Sequence, residues 1–196
     1  MDHATWVDDD LVALGTCGDA LDWARGYDTA QEAWDACERG DWMLWLLGML
    51  AGPPESDSRR KLVLAACACA RLSLPHVQAG EDRPRHAIET AESWARQEQG
   101  VTLAMVEAAA WPAGAAGASA GASGASAGAA GASAWAAGAA AWAAWAAGAA
   151  WAAWAARAAA WAAEAAGAAG ADRAATLRHC ADIVRTAYPQ YPHKEK

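Results

Sequence analysis

Residues 113–170 read AGAAGASAGASGASAGAAGASAWAAGAAAWAAWAAGAAWAAWAARAAAWAAEAAGAAG. These 58 residues hold 36 Ala, 10 Gly, 6 Trp, 4 Ser, one Arg and one Glu. The residues that are not Ala fall in order. Gly114, Gly117, Gly121, Gly124, Gly128, Gly131, Trp135, Gly138, Trp142 and Trp145 follow alternating steps of three and four. That is a heptad seam of period 3.5, written in Gly and Trp on an Ala background. After Trp145 the step becomes almost uniformly three, through Gly148, Trp151, Trp154, Arg157, Trp161, Glu164, Gly167 and Gly170. On an α-helix each such step drifts by about 60°, so the second half presents no single straight stripe.

Ala is the strongest helix former and each Gly costs about 1 kcal/mol relative to it. Helix is therefore expected throughout, most securely in 139–166, with 113–134 weaker and partly irregular. One straight helix would run about 87 Å, so a fold-back in the Gly/Ser-rich part is expected. Small residues let the backbones of the resulting hairpin approach closely.

Outward from this stretch, ordinary helical signals take over. In Thr29-Ala-Gln-Glu32 the hydroxyl and the carboxylate serve free N–H groups reciprocally, a capping box. Gly40 is expected to close that helix and Asp41 to cap the next, whose WMLWLLGML is apolar nearly all round and belongs in a core. At about ten residues it is far short of a membrane span. Ser56-Asp57 open a further helix with Leu62, Ala65, Ala66, Cys69 and Leu72 at core spacing; Arg59, Arg60 and Lys61 read as its solvated face. Asp82 and Pro84 start another, and Thr102 another, which Trp111-Pro112 is expected to interrupt or kink. Asp172 renews the helix after Gly170. Leu177, Cys180, Ala181, Val184 and Tyr188 form its amphipathic stripe, and YPHKEK reads as a loose tail. No segment alternates as a strand does. The expected fold is all-α: an acidic helical bundle in 1–112, the Ala/Gly/Trp-rich hairpin in 113–170, and an amphipathic helix in 171–188 packing on the bundle.

Charge is unevenly placed. Residues 1–57 carry 13 Asp/Glu against Arg25 and Arg39, a net of −11, whereas 58–196 carry 10 against 13, a net of +3. The acidic front end argues against nucleic acid, since phosphate binding needs a basic surface, and suits a basic protein partner. Five cysteines and an acidic start, MDHATWVDDD, read as reduced, mostly buried thiols in a cytoplasmic protein. Cys67 and Cys69 lie about 200° apart around a helix and are poorly placed to share a metal. No P-loop, GxGxxG, HExxH or GxSxG occurs, so no catalysis, metal or cofactor is expected. The two acidic–aromatic pairs, Asp22-Trp23 and Asp41-Trp42, have the composition of interface anchors. Asp19, Asp22, Glu38, Asp41 and Trp42 are the expected partner-binding residues.

The blocks CGDALDWARGYDTAQEAWDACERGDWMLWLLG, SRRKLVLAACACARLSLP, EDRPRHAIETAESWAR and LRHCADIVR resemble bacterial and phage immunity proteins with the Imm-5-like domain. ERGDWMLWLLG is the most specific of them. In that family the Ala-rich region is punctuated by Asp and Tyr, where this chain has Gly and Trp. The resemblance implies a small cytoplasmic protein that binds and neutralises a toxin effector by protein–protein contact, its cognate toxin being the partner. The alternative expectation is a structural or self-associating protein built on its Ala-rich helices, with a membrane surface as one place for them. The 49 uncharged residues 108–156 and the Trp content favour it; the weak hydrophobicity of Ala and Gly argues against a membrane.

Overall fold

The computed structural model describes residues 6–122, 128–148 and 154–193. A π-helical turn, Val7–Val12, leads into α1 (Gly18–Ala24), α2 (Ala30–Ala36), α3 (Gly40–Leu50) and α4 (Asp57–Arg71). A 3₁₀ turn (Leu74–His76) then precedes α5 (Arg83–Ala95), α6 (Leu103–Ala122), α7 (Gly128–Trp145), α8 (Ala155–Ala168) and α9 (Arg173–Ala187). Among the described residues there is no strand, and the fold is all-α.

Local chemistry explains most helix starts. Thr29 Oγ1 accepts from Glu32 N at 3.2 Å while Thr29 N donates to Glu32 Oε2 at 3.1 Å, so the capping box forms as read. Ser56 accepts from Arg59 N and Asp172 from Ala174 N. The start of α3 differs from expectation. Gly40 does not close α2, which ends at an extended Cys37; it opens α3. The reason is packing: a Cβ at Gly40 would sit 2.7 Å from the backbone nitrogen of Ala181 in α9. Asp41 does not cap α3 either, because its carboxylate is held by Arg39.

Pro112 does not break α6, which runs through it from Leu103 to Ala122. A proline removes the bond to the carbonyl four residues back, here Ala108. Both Ala108 and Pro112 are exposed, so the bare carbonyl faces water. The division read at 112 thus falls inside one helix.

The hairpin is seen in the packing of α6 on α7. Gly114 lies beside Ala141 and Trp145, and Gly117 beside Ala134 and Gly138, which makes the two helices antiparallel. The heptad seam positions of one helix therefore meet those of the other, at the close approach that Gly permits. Residues 113–122 are more regular than expected; any irregularity at 123–127 lies outside the described residues. The stretch read as most securely helical, 139–166, is divided: α7 ends at Trp145, where the sequence period changes, and α8 begins at Ala155. α8 returns antiparallel, with Trp161 against Trp135 and Gly138, and Trp154 against Trp142 and Trp145.

The Ala face of α7 is the core. Ala136, Ala137, Ala139, Ala140, Ala143 and Ala144 are at most 2% exposed, and α7 packs on α4 and α5 as well as α6 and α8. The Trp rings stand at the edge of that core, half-buried except for the exposed Trp111, in edge-to-face pairs: Trp111–Trp145, Trp145–Trp142, Trp142–Trp154 and Trp135–Trp161, with centroids 4.6–5.3 Å apart. α9 packs on α3, α4 and α8. One hydrophobic cluster runs from Val7 to Tyr191.

Arg59 overturns its reading as part of a solvated face. It is 3% exposed and donates to the carbonyls of Gly52, Ala146 and Gly148. The guanidinium thereby satisfies carbonyls left free where α7 ends, with a favourable sign against the helix dipole. Burial lowers its pKa from the usual arginine value.

Candidate functional site

α1, α2 and α3 are short and follow one another closely in the chain, and the acidic residues of the first 57 positions lie mostly at the surface. Asp8, Asp9, Asp19, Asp22, Asp28, Glu32, Asp35 and Glu38 are all exposed. Few cations answer them. Asp22 pairs with Arg25 at 2.8 Å, both largely in solvent, and Glu38 with Arg178 at 3.6 Å. Such exposed pairs hold little energy and leave the field acidic.

The five sequence-derived residues divide between two environments. Asp19, Asp22 and Glu38 are surface carboxylates. Asp41 is not open: Arg39 Nε and Nη2 donate to its two oxygens at 2.8 and 2.7 Å, and its side chain is 14% exposed. The Asp41 hydrogen bond raises the Arg39 pKa against the opposing effect of burial. Trp42 is half-buried, with the Arg39 guanidinium 4.3 Å above its ring and Trp23 edge-on at 6.0 Å. The two acidic–aromatic dipeptides, 19 residues apart in the chain, thus bring their rings together.

Trp23 and Trp42 separate two depressions. One, about 450 Å³, is lined by Tyr27, Glu38, Arg39 and, from α9, Ala174 and Leu177. The other, about 300 Å³, reaches inward to Trp6, Trp34, Met43, Trp45, Leu46 and Tyr191.

Trp34 was expected on the buried side of α2, as found, whereas Trp6 and Tyr191 were not singled out in the sequence. Tyr191 corrects the reading of its segment as a loose tail. It is 6% exposed, sits edge-on to Trp6 and Trp34 at 6.0 and 6.1 Å, and its N–H donates to Gln31 Oε1 at 2.8 Å. Trp34 Nε1 donates to the Tyr188 carbonyl at 2.8 Å, and Arg185 donates to the Cys37 carbonyl at 2.6 Å. These contacts span about 150 residues of chain, and no local pattern announces them. Burial and then the nearby Asp10 carboxylate raise the Tyr191 pKa. Residues 194–196 of that tail lie outside the described residues.

Four of the five thiols, Cys37, Cys67, Cys69 and Cys180, are buried, and Cys17 is exposed. Burial pushes Cys67 and Cys37 up, and Cys69, beside Cys180, is also raised, so all three stay protonated at neutral pH. Among the described residues no three His, Cys, Asp or Glu side chains gather as a metal site.

Comparison with protein-family models, with curated proteins and with solved structures finds no match for this chain. Among the described residues no helix is long and apolar enough to cross a membrane.

Proposed function

We propose that this chain is a cytoplasmic immunity protein that binds a toxin effector and neutralises it by protein–protein contact. The observation that carries the reading is the run of exposed carboxylates along α1–α3, Asp19, Asp22 and Glu38 among them, together with the adjoining rings of Trp23 and Trp42. An aromatic pair among exposed carboxylates that outnumber their arginine partners suits the steering of a basic protein and then its anchoring. The resemblance of ERGDWMLWLLG and its flanking blocks to the Imm-5-like group supports the same reading.

The test is co-expression with the effectors encoded beside this gene, reading cell survival. Protection against one of them is expected, and no protection against any would refute the proposal. For a protected toxin, changing Asp19, Asp22 and Glu38 together to Lys should slow association and flatten its dependence on salt. Replacing Trp42 by Ala should instead speed dissociation. Unchanged kinetics in both variants would place the interface elsewhere.

A second reading, self-association through the Ala-rich helices, draws on one observation. Trp111 is 68% and Met105 47% exposed on α6. Sedimentation decides it: a monomer at high concentration removes this reading, and an oligomer dissociated by Trp111→Glu supports it.

A further inference from the structure

We propose that the inner cavity between α1, α2, α3 and the chain around Tyr191 binds a small uncharged bicyclic aromatic molecule carrying a hydrogen-bond-accepting oxygen. Its size comes first. At about 300 Å³ it is about twice the roughly 150 Å³ apolar cavity that takes benzene in an engineered protein, which suits two fused rings. Its walls come second. Trp6, Trp23, Trp34, Trp42, Trp45 and Tyr191 all contribute to the lining, offering ring faces and edges to a planar guest.

Charge narrows the class. Asp41 is the charged residue in the lining, and Arg39 already occupies both of its oxygens. A cationic guest finds no free counter-charge there, and an anionic guest meets a carboxylate. Hydrogen bonding narrows it further. The Trp6 indole N–H is buried without a hydrogen-bond partner, whereas the Tyr191 hydroxyl has the Asp10 carboxylate beside it. Thr16 Oγ1 donates to the Leu11 carbonyl at 2.7 Å, and Trp34 Nε1 to that of Tyr188. A buried donor without an acceptor costs stability until an acceptor arrives. A carbonyl or ether oxygen on a guest of this size answers the Trp6 donor. This site is independent of the toxin reading, and either stands if the other fails.

The experiment uses the full chain and three compounds of one shape: coumarin, naphthalene, which lacks the oxygen, and a coumarin carboxylate, which adds a charge. Binding is read by calorimetry and by the rate of alkylation of Cys17, an exposed thiol in the lining. Coumarin is expected to bind and to slow Cys17 alkylation. Naphthalene should bind about tenfold more weakly, the worth of an acceptor facing a buried donor, and the carboxylate more weakly still. Trp6→Phe, checked for native helicity, should weaken coumarin about fivefold and leave naphthalene unchanged. Absence of binding by all three, or Cys17 alkylation indifferent to saturating coumarin, would overturn the site. Equal affinity for coumarin and naphthalene, unchanged in Trp6→Phe, would overturn the acceptor-bearing class.

Discussion

Replacing Gly138 by Ala sets two effects of the Ala-rich helices against each other. Gly138 lies inside α7, where helix propensity alone favours Ala by about 1 kcal/mol. Yet a Cβ built there falls against the edge of the six-membered ring of Trp161, far inside contact distance of Cε3 and Cζ3. That ring is not a flexible chain end. It stands edge-on to Trp135 at 4.8 Å and to Trp142 at 5.8 Å, so it can yield only by disturbing both. Overpacking costs about 2 kcal/mol, and loosening two edge-to-face pairs about 2 more. Against the propensity gain, the net is a loss of about 3 kcal/mol. Guanidinium unfolding followed by helical circular dichroism and by Trp fluorescence measures it. In a Trp161→Ala background the obstruction is gone, and the same Gly138→Ala change should stabilise by about 1 kcal/mol, a coupling of about 4 kcal/mol. Stabilisation by Gly138→Ala in both backgrounds would refute the argument that Gly here is a socket for Trp.

Three further outcomes follow from the geometry. Arg59→Met leaves the carbonyls of Gly52, Ala146 and Gly148 without their donor and should cost about 3 kcal/mol, lowering the melting temperature by about 6–12 °C; a shift under about 2 °C would remove Arg59 as the α7 cap. Glu92 is 7% exposed and receives Arg71 through two bonds of 2.7 and 2.9 Å, with Arg96 at 3.2 Å. Burial raises its pKa, but these guanidinium groups outweigh burial and hold it below the ordinary value of 4.5. The unfolded chain therefore takes up the proton first as pH falls. The contribution of Glu92 is complete above about pH 4.5 and fades as pH drops through the lowered folded value. Glu92→Gln should cost about 1–2 kcal/mol at neutral pH, and the difference from the parent protein should shrink on acidification in urea-unfolding curves; a difference independent of pH would deny the charge its role. In a thiol-reagent assay on native protein, Cys17 should react quickly while Cys37, Cys67, Cys69 and Cys180 wait on unfolding. Rapid reaction of more than one thiol would contradict the packing of α3, α4 and α9.

What could be read without a structure was whatever depends on neighbours in the chain. The capping box at Thr29, the caps at Ser56 and Asp172, the stripe of α9 and the all-helical character rest on contacts three or four residues apart, and those spacings are visible in the letters. The change of period at Trp145 was visible too, but 139–166 was read as securely helical throughout, and α7 ends at that point. The acidic excess of the first 57 residues was also legible, since charge is a property of composition. The pairing of Asp41 with Arg39 was near enough in sequence to be found, but the stronger expectation of a cap masked it.

Only the tertiary structure decided the rest. It made Gly40 the start of a helix, because α9 approaches too closely for a side chain. It drew Arg59 into the core, because the end of α7 placed unsatisfied carbonyls there. It carried α6 through Pro112, because the lost hydrogen bond faces water. It folded Tyr191 onto Trp6 and Trp34 and so formed a pocket whose walls lie up to 185 positions apart in the chain. The sequence by itself determined helices, caps, charge and the Gly/Trp period, all of them short-range quantities. Which Gly receives which Trp, which cation is buried and which tail is anchored depend on elements meeting across the core, where packing and the need to satisfy buried polar groups override local preference.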